Sequence, residues 1–211
     1  MKTADVSGFG PLRIWRTMME DLDVVLDKDL AAHSRLEVLL YPHIHALWAH
    51  RIAHQFYLRG HTFVARAISM AGRWVSGIEI HPGAEIGRRF FIDHGSAVVI
   101  GETVRVGDDV MLYHQVTLGS VGWWRDKERR PGARRHPVIE DSVMIGTNAS
   151  VLGPITVGAG SHIGAHAVVM ETLPPNSKIS ASRFTTVQLK PASDNEEPAT
   201  VAQAIKEGVA S

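Results

Sequence analysis

Residues 78–119, IEIHPGAEIGRRFFIDHGSAVVIGETVRVGDDVMLYHQVTLG, and residues 138–169, VIEDSVMIGTNASVLGPITVGAGSHIGAHAVV, set thirteen aliphatic side chains on a six-residue spacing. The series runs Ile80, Ile86, Ile92, Val98, Val104, Val110 and Val116, then Ile139, Ile145, Val151, Val157, Ile163 and Val169. A helix with 3.6 residues per turn would scatter such a series around its surface, and an ordinary strand repeats every second residue. A ribbon wound with six residues per side fits the spacing. Gly87, Gly101, Gly107, Gly119, Gly146, Gly153, Gly158 and Gly164 each follow an aliphatic residue, where a chain turning a corner is expected to favour a backbone without a Cβ. Three sides make a coil, and stacked coils bury their aliphatic residues in one column. The expected fold class is α+β, with an N-terminal helical region leading into a left-handed parallel β-helix of hexapeptide repeats. A generic sandwich of short strands is the alternative.

Composition narrows the function classes. The chain has 211 residues, 45% of them apolar, enough for one long domain or a domain with an extension. Basic and acidic residues balance at 22 each, so no general attraction to nucleic acid or to a membrane surface is expected. With no cysteine, neither a disulfide framework nor a thiolate nucleophile or metal ligand is available. The opening MKTADVSGFGPLRIW lacks the order of a signal peptide and no apolar run reaches membrane-spanning length, which makes the cytoplasm the expected location.

Along the chain, residues 1–77 read as an arm and a helical region. Residues 1 to about 20 read as a mobile arm leading into a short helix, with Gly8, Gly10 and Pro11 marking the break before Leu12–Met19, and Asp23 is expected to cap a first turn beyond it. Leu36, Leu39, Leu40, Ile44, Leu47, Trp48, Ile52, Phe56 and Leu58 recur at three and four; Pro42 divides that stretch and Gly60 ends it. Phe63–Val75 reads as a further helix. The solenoid spans 78–175, and residues 176–211 form a polar tail expected to be flexible.

Val116 to Ile139 is 23 residues, not a multiple of six, so a loop over 119–137 must leave the column and rejoin it. It holds Trp123, Trp124, Arg125, Lys127, Arg129, Arg130, Arg134 and Arg135. Two readings stay open: a site for an anionic, aromatic ligand such as a phosphorylated nucleotide group, or a solvated basic loop whose tryptophans cover a neighbouring subunit.

Twelve histidines bring candidates for proton transfer near neutral pH. The informative grouping is Phe91-Ile92-Asp93-His94-Gly95, Gly101-Glu102-Thr103, Val116-Thr117-Leu118-Gly119 and Arg135-His136-Pro137. Together with Tyr41-Pro42, His45-Ala46-Leu47, His50-Arg51-Ile52-Ala53-His54 and Ile80-His81-Pro82-Gly83-Ala84, these segments resemble the serine O-acetyltransferase family over about residues 29–169. The resemblance implies acetyl transfer from acetyl-CoA to the hydroxyl of L-serine, with His94 as general base and Glu79 as the carboxylate that orients it. It implies further that Asp29 and Asp93 take the substrate ammonium, Arg135 its carboxylate, and that His136 lies near the hydroxyl. For acetyl-CoA it points to Gly119, Ser120, Thr147 and Ala165, in a groove between neighbouring subunits, and so to a homotrimer or a dimer of trimers.

Some positions depart from the family pattern. Gly119-Ser120-Val121-Gly122 stands where the family has Gly-Gly-Thr-Gly, Leu30 replaces a proline after Asp29, and His162 stands where a basic residue is often found. The end at Ala210-Ser211 lacks the isoleucine by which family members dock into O-acetylserine sulfhydrylase, so that partnership is not expected. Three other functions compete: acetylation of another hydroxy amino acid such as homoserine, a zinc hydratase of the kind some hexapeptide solenoids form, and a non-catalytic scaffold. No metal site is expected, because no histidine pair shows close spacing on a shared face with a third nearby.

Overall fold

The structure, a computed structural model, describes residues 11–180 apart from Glu128 and Pro131. The arm at 1–10 and the tail at 181–211 lie outside these residues. The C-terminal part is a left-handed three-sided parallel β-helix. Its first face stacks β1 (Glu79–Ile80), β4 (Val99–Ile100), β7 (Thr117–Gly119), β10 (Ser150–Leu152) and β13 (Val168–Val169). The second stacks β2 (Glu85–Ile86), β5 (Arg105–Val106), β8 (Val138–Ile139) and β11 (Thr156–Val157). The third stacks β3 (Phe91–Ile92), β6 (Met111–Leu112), β9 (Met144–Ile145), β12 (His162–Ile163) and β14 (Lys178–Ile179). β14 pairs with β12, so the stack runs past Pro175, where the sequence pattern had placed its end.

The strand register shows where the six-residue ruler slips. Ile80 pairs with Ile100, Ile86 with Val106 and Ile92 with Leu112, each twenty residues on, whereas Ile100 and Leu118 are eighteen apart. Two extra residues therefore sit in the turn 93–98. From Val98 to Val116 the ruler follows buried corner residues two places before the strand residues that continue the column. Both sets are inward and fully buried, so the period was right and the phase was not. The slip falls on the turn that carries Asp93 and His94.

Of the glycines that follow an aliphatic residue, Gly153 takes the expected left-handed backbone, with φ 92°, and the other seven serve a different purpose. Left-handed corner positions are held by Arg89, Asp109, Ser142 and Asn176 at one corner and by Ala97, Gln115, Asn148 and His166 at another, all with φ between 55° and 61°. Each column is tied by backbone bonds from coil to coil, such as Gln115 N–H to Ser96 O (2.8 Å) and Asn148 N–H to His114 O (3.0 Å). A Cβ on Gly146, by contrast, would lie 2.6 Å from the backbone nitrogen of Ala165 on the next coil. Here glycine is required by the closeness of the coils.

Four helices cap the entrance. α1 is continuous over Pro11–Lys28, with Pro at its first position, rather than a short helix over 12–19. Leu22, Val24 and Val25 give its second half a buried face, and Asp23 lies in mid-helix, paired with Arg35 at 2.6 Å. α2 (Arg35–Val38) is capped by Ser34, whose Oγ accepts from Glu37 N–H at 3.2 Å, while the Glu37 carboxylate accepts from His33 N–H at 2.9 Å. The break at 39–41 explains why Leu36 and Leu40 are exposed instead of continuing the stripe of α3 (Pro42–Leu58). α4 (Thr62–Ser76) ends at Gly77, whose φ of 70° closes the helix with an N–H bond to Arg73 O. Leu22, Val24, Val25, Val38 and Ile44 bury the outward ring of Phe91, which seats the helices on the third face of the solenoid. The loop 119–137 contains one short helical turn, α5 (Trp123–Lys127). No helix among the described residues is long and apolar enough to cross a membrane.

Candidate active site

The corner between the third and first faces presents His94. Asp93 N–H is fixed to Leu112 O (2.8 Å) and Ala97 N–H to Gly77 O (3.0 Å), so both ends of the inserted turn are anchored. Between them His94 (φ 59°) and Gly95 (φ 79°) take left-handed backbone, and a Cβ on Gly95 would meet Ile78 at 2.5 Å. The turn folds down onto Ile78 and His43, which leaves the His94 imidazole 75% exposed. Its Nε2 lies 3.9 Å from Asp93 Oδ1, and its ring meets that of His114 edge-on at 5.7 Å. His114 Nε2 is 2.7 Å from Thr147 Oγ1, whose hydroxyl also lies 3.2 Å from His114 O. The hydroxyl donates to that carbonyl and accepts from Nε2–H, so His94, His114 and Thr147 form one line along this corner.

Asp29 follows the C-terminus of α1, where its Oδ1 accepts from Ala31 N–H at 2.8 Å. It therefore closes a turn after a helix instead of capping the start of one. Its charge acts on His43, which also feels His94, so Asp29, His43 and His94 share one neighbourhood. His43 is 2% exposed, packs edge-on against Tyr41 and Phe91, and is pushed down by burial to a pKa of about 4. Burial likewise lowers His81 to about 4.

These two histidines set an acid limit. An unfolded histidine titrates at 6.5, so between that pH and about 4 the unfolded chain binds protons that the folded chain refuses. The stability they contribute is fully present above 6.5 and is lost as the pH falls to about 4. The unfolding midpoint is expected to drop steadily over that interval, and more gently in His43→Leu; a flat profile in the parent protein would contradict the burial argument.

Arg135 and His136 stand at a different corner, between the first and second faces. Gly101-Glu102-Thr103 forms their seat. Arg135 Nη2 contacts Glu102 Oε2 at 2.6 Å, and Thr103 Oγ1 accepts from the backbone N–H groups of Arg135 (3.0 Å) and His136 (3.2 Å). The His136 Nδ1 accepts from the N–H of Thr103 (3.2 Å) and lies 2.9 Å from its hydroxyl, so the proton sits on Nε2 and the ring is a neutral donor. Burial, reinforced by the Arg135 charge, lowers its pKa. Gly101 has no room for a Cβ, which would collide with the His136 ring. A cleft of about 740 Å³ opens beside Arg135, lined in part by Tyr57, Gly83, Glu102, Asp126 and Arg134.

The residues proposed for acetyl-CoA divide in the same way. Gly119 and Ser120 enter the corner of Arg135, and Thr147 and Ala165 belong to the corner of His94. Below Thr147, an open groove of about 440 Å³ is lined by Met144, Gly146, His162, Gly164, Lys178 and Ile179. Within one chain, then, the structure gathers Asp93, His94 and Thr147 on one edge, with Asp29 near enough to His43 for its charge to act there, and Arg135, His136 and Gly119 on another.

Two expectations change. Glu79 immediately precedes the inward Ile80, so its carboxylate points outward, where Arg73 of α4 holds it at 3.2 Å. No hydrogen bond or ion pair joins it to His94 among the described residues. In the loop, Arg134 is used on the carbonyls of Pro154 (2.9 Å) and Ile155 (3.1 Å), and Arg129 on Asp126 (3.2 Å). Arg134 thus fastens the loop to the solenoid, as Arg135 does through Glu102, while Arg129 braces the loop internally. Trp123 and Trp124 are exposed and meet edge-on at 6.2 Å, with Lys127 Nζ 4.5 Å above the Trp123 ring. Sequence reasoning gave no role to His43, His114, Tyr57, Glu102 or Thr103, although Gly101-Glu102-Thr103 stood out as a segment.

Known proteins resemble this chain over most of its length. The family described as bacterial transferase hexapeptide (six repeats) matches residues 136–170. The serine acetyltransferase of Bacillus licheniformis is 54% identical over 166 residues, 78% of this chain and 74% of that protein. That of Helicobacter pylori is 50% identical over 167 residues, covering 79% and 94%. Among solved structures, Neisseria gonorrhoeae serine acetyltransferase in complex with serine superposes with a TM-score of 0.71 at 36% identity, over 79% of this chain and 66% of that one. The Brucella abortus serine acetyltransferase in complex with coenzyme A gives 0.73 at 32% identity, over 81% and 66%. The chain spans 66% of the length of each of these two solved chains. A six-residue solenoid with a histidine-bearing corner, matched at this identity over more than three-quarters of its length, makes this chain a member of the serine acetyltransferase family.

Proposed function

We propose that the protein transfers the acetyl group of acetyl-CoA to the hydroxyl of L-serine, at a groove formed where the His94 corner of one copy meets the Arg135 corner of the next. The observation that carries this reading is the division of the site residues between two edges of one prism, with acceptor and donor residues on both. A threefold arrangement of prisms brings unlike edges together at each interface. In that groove Asp29 and Asp93 face the ammonium of the acceptor, Arg135 its carboxylate and neutral His136 donates near its hydroxyl. His94 Nε2 takes the hydroxyl proton as that oxygen bonds to the thioester carbonyl carbon. The C–S bond then breaks, and the proton passes from the imidazolium to the departing thiolate. Acetyl-CoA would lie past Thr147 and Ala165 along the open groove lined by Met144, His162 and Lys178, with Gly119 and Ser120 of the next copy facing it. In this scheme Glu79 stays with Arg73 and moves no proton.

Release of free thiol from acetyl-CoA with a panel of hydroxy amino acids tests the reading. Turnover is expected with L-serine above homoserine and threonine, and only with the oligomer. A monomer of full activity, or a preference for homoserine, would refute it.

A further inference from the structure

Tyr57 of α3 touches two successive coils at the Arg135 corner and reaches the third through Glu102. Its ring lies in the notch of the first coil: a Cβ on Gly83 would come within 2.9 Å of the ring, and His81 packs on it edge-on at 5.9 Å. His81 holds that notch closed, because its Nδ1 accepts from Gly83 N–H at 3.0 Å. The Tyr57 hydroxyl crosses to the second coil and donates to Glu102 Oε1 at 3.0 Å. The other carboxylate oxygen, Oε2, holds Arg135 of the third coil at 2.6 Å. Glu102 is thus gripped at both oxygens, and although burial opposes it, the bonds from Tyr57 and Arg135 hold its carboxyl below the usual range. Arg135 also faces Asp126 at 4.0 Å, so with Glu102 free to rotate it has a second carboxylate to turn toward.

We infer that Tyr57 is a positioning residue for recognition of the acceptor's carboxylate, acting through Glu102 on the guanidinium of Arg135. The inference rests on the proposed role of Arg135. A fork that must present two parallel N–H groups to a carboxylate tolerates little rotation, and the carboxylate beneath it sets that angle. Removing the phenol oxygen leaves Glu102 Oε1 without its donor and lets the Glu102–Arg135 pair swing. The expected loss is in acceptor binding and not in the acetyl-transfer step, since Tyr57 stands at the corner opposite in role to His94. A residue of the helical region thereby tunes which acceptor the solenoid prefers.

The test compares Tyr57→Phe with the parent protein on L-serine and on L-serinamide, which lacks the carboxylate. The KM for L-serine is expected to rise about fivefold, with kcat within about twofold and the KM for acetyl-CoA unchanged. The preference for L-serine over L-serinamide should fall by the same factor. An unchanged preference overturns the inference, whether the KM values stay put or those of both co-substrates rise together as they would for a packing defect. Arg135→Ala separates the two levels. If it erases the preference while Tyr57→Phe keeps it, only the Tyr57 link fails; if it keeps the preference, the reading of Arg135 fails and this inference with it.

Discussion

Replacing His94 with alanine is expected to lower kcat by about 10² to 10⁴, with the fold and the assembly intact. The imidazole is 75% exposed, meets the His114 ring edge-on and lies 3.9 Å from Asp93, so its removal opens no cavity in the solenoid. The backbone there is left-handed, with φ 59°, which would ordinarily tax an alanine. Ala97, three residues on in the same turn, already holds φ 56° because the bonds from neighbouring coils fix it. The variant should therefore sediment and melt like the parent while losing thiol release. Turnover within about tenfold of the parent would remove His94 from the role of base. Loss of the oligomer would instead show that the corner is needed for assembly.

How far the sequence revealed this site depends on what repeats and what does not. The period of six is a local property of an aliphatic ladder, so the three-faced stack and its faces were legible from Ile80 to Val169. The phase was harder to read, because corner residues such as Val98 and Val104 are as buried as strand residues such as Ile100 and Val106. A spacing rule cannot separate two inward columns two residues apart. The two-residue insertion in turn 93–98 was hidden for that reason, although it marks a corner whose turn breaks the repeat. Helix α1 escaped for a similar cause: its burial comes from the third face of the solenoid through Phe91, a partner about seventy residues away in the chain. Glu79 shows the remaining limit. Its place beside Ile80 was right, but which cation it would meet depended on the last turn of α4 lying across β1 and bringing Arg73 within reach. The division of the site between two corners was also beyond local reading, because it follows from how many residues each side consumes over three coils.

Arg51→Met is expected to cost about 3–5 kcal/mol of stability. Asp21 is fully buried, and Arg51 reaches it through two bonds, Nε to Oδ2 at 2.7 Å and Nη2 to Oδ1 at 2.6 Å. Burial raises the Asp21 carboxyl above its ordinary 3.8 even with Arg51 in place. Without the guanidinium the carboxylate stands uncompensated, and its folded-state pKa rises further. Between 3.8 and that raised value the folded chain binds the proton that the unfolded chain has released, so the variant recovers stability as the pH falls toward 4. His43 and His81 act alike in both proteins, so it is Asp21 that narrows the gap between them in acid. The double variant Asp21→Leu/Arg51→Met should lie within about 1 kcal/mol of the parent, since matched apolar groups replace the pair. The effect also reaches the site. The Asp21–Arg51 pair ties α1 to α3, together with the Trp48 indole N–H on Met18 O at 3.2 Å, and Asp29 follows directly on the last turn of α1. Loosening that tie displaces a carboxylate assigned to the substrate ammonium, so Arg51→Met should raise the KM for L-serine as well as lower the denaturant midpoint at fixed protein concentration. A stability loss below about 1 kcal/mol would mean that water reaches Asp21 and that the ion pair does not anchor the helix.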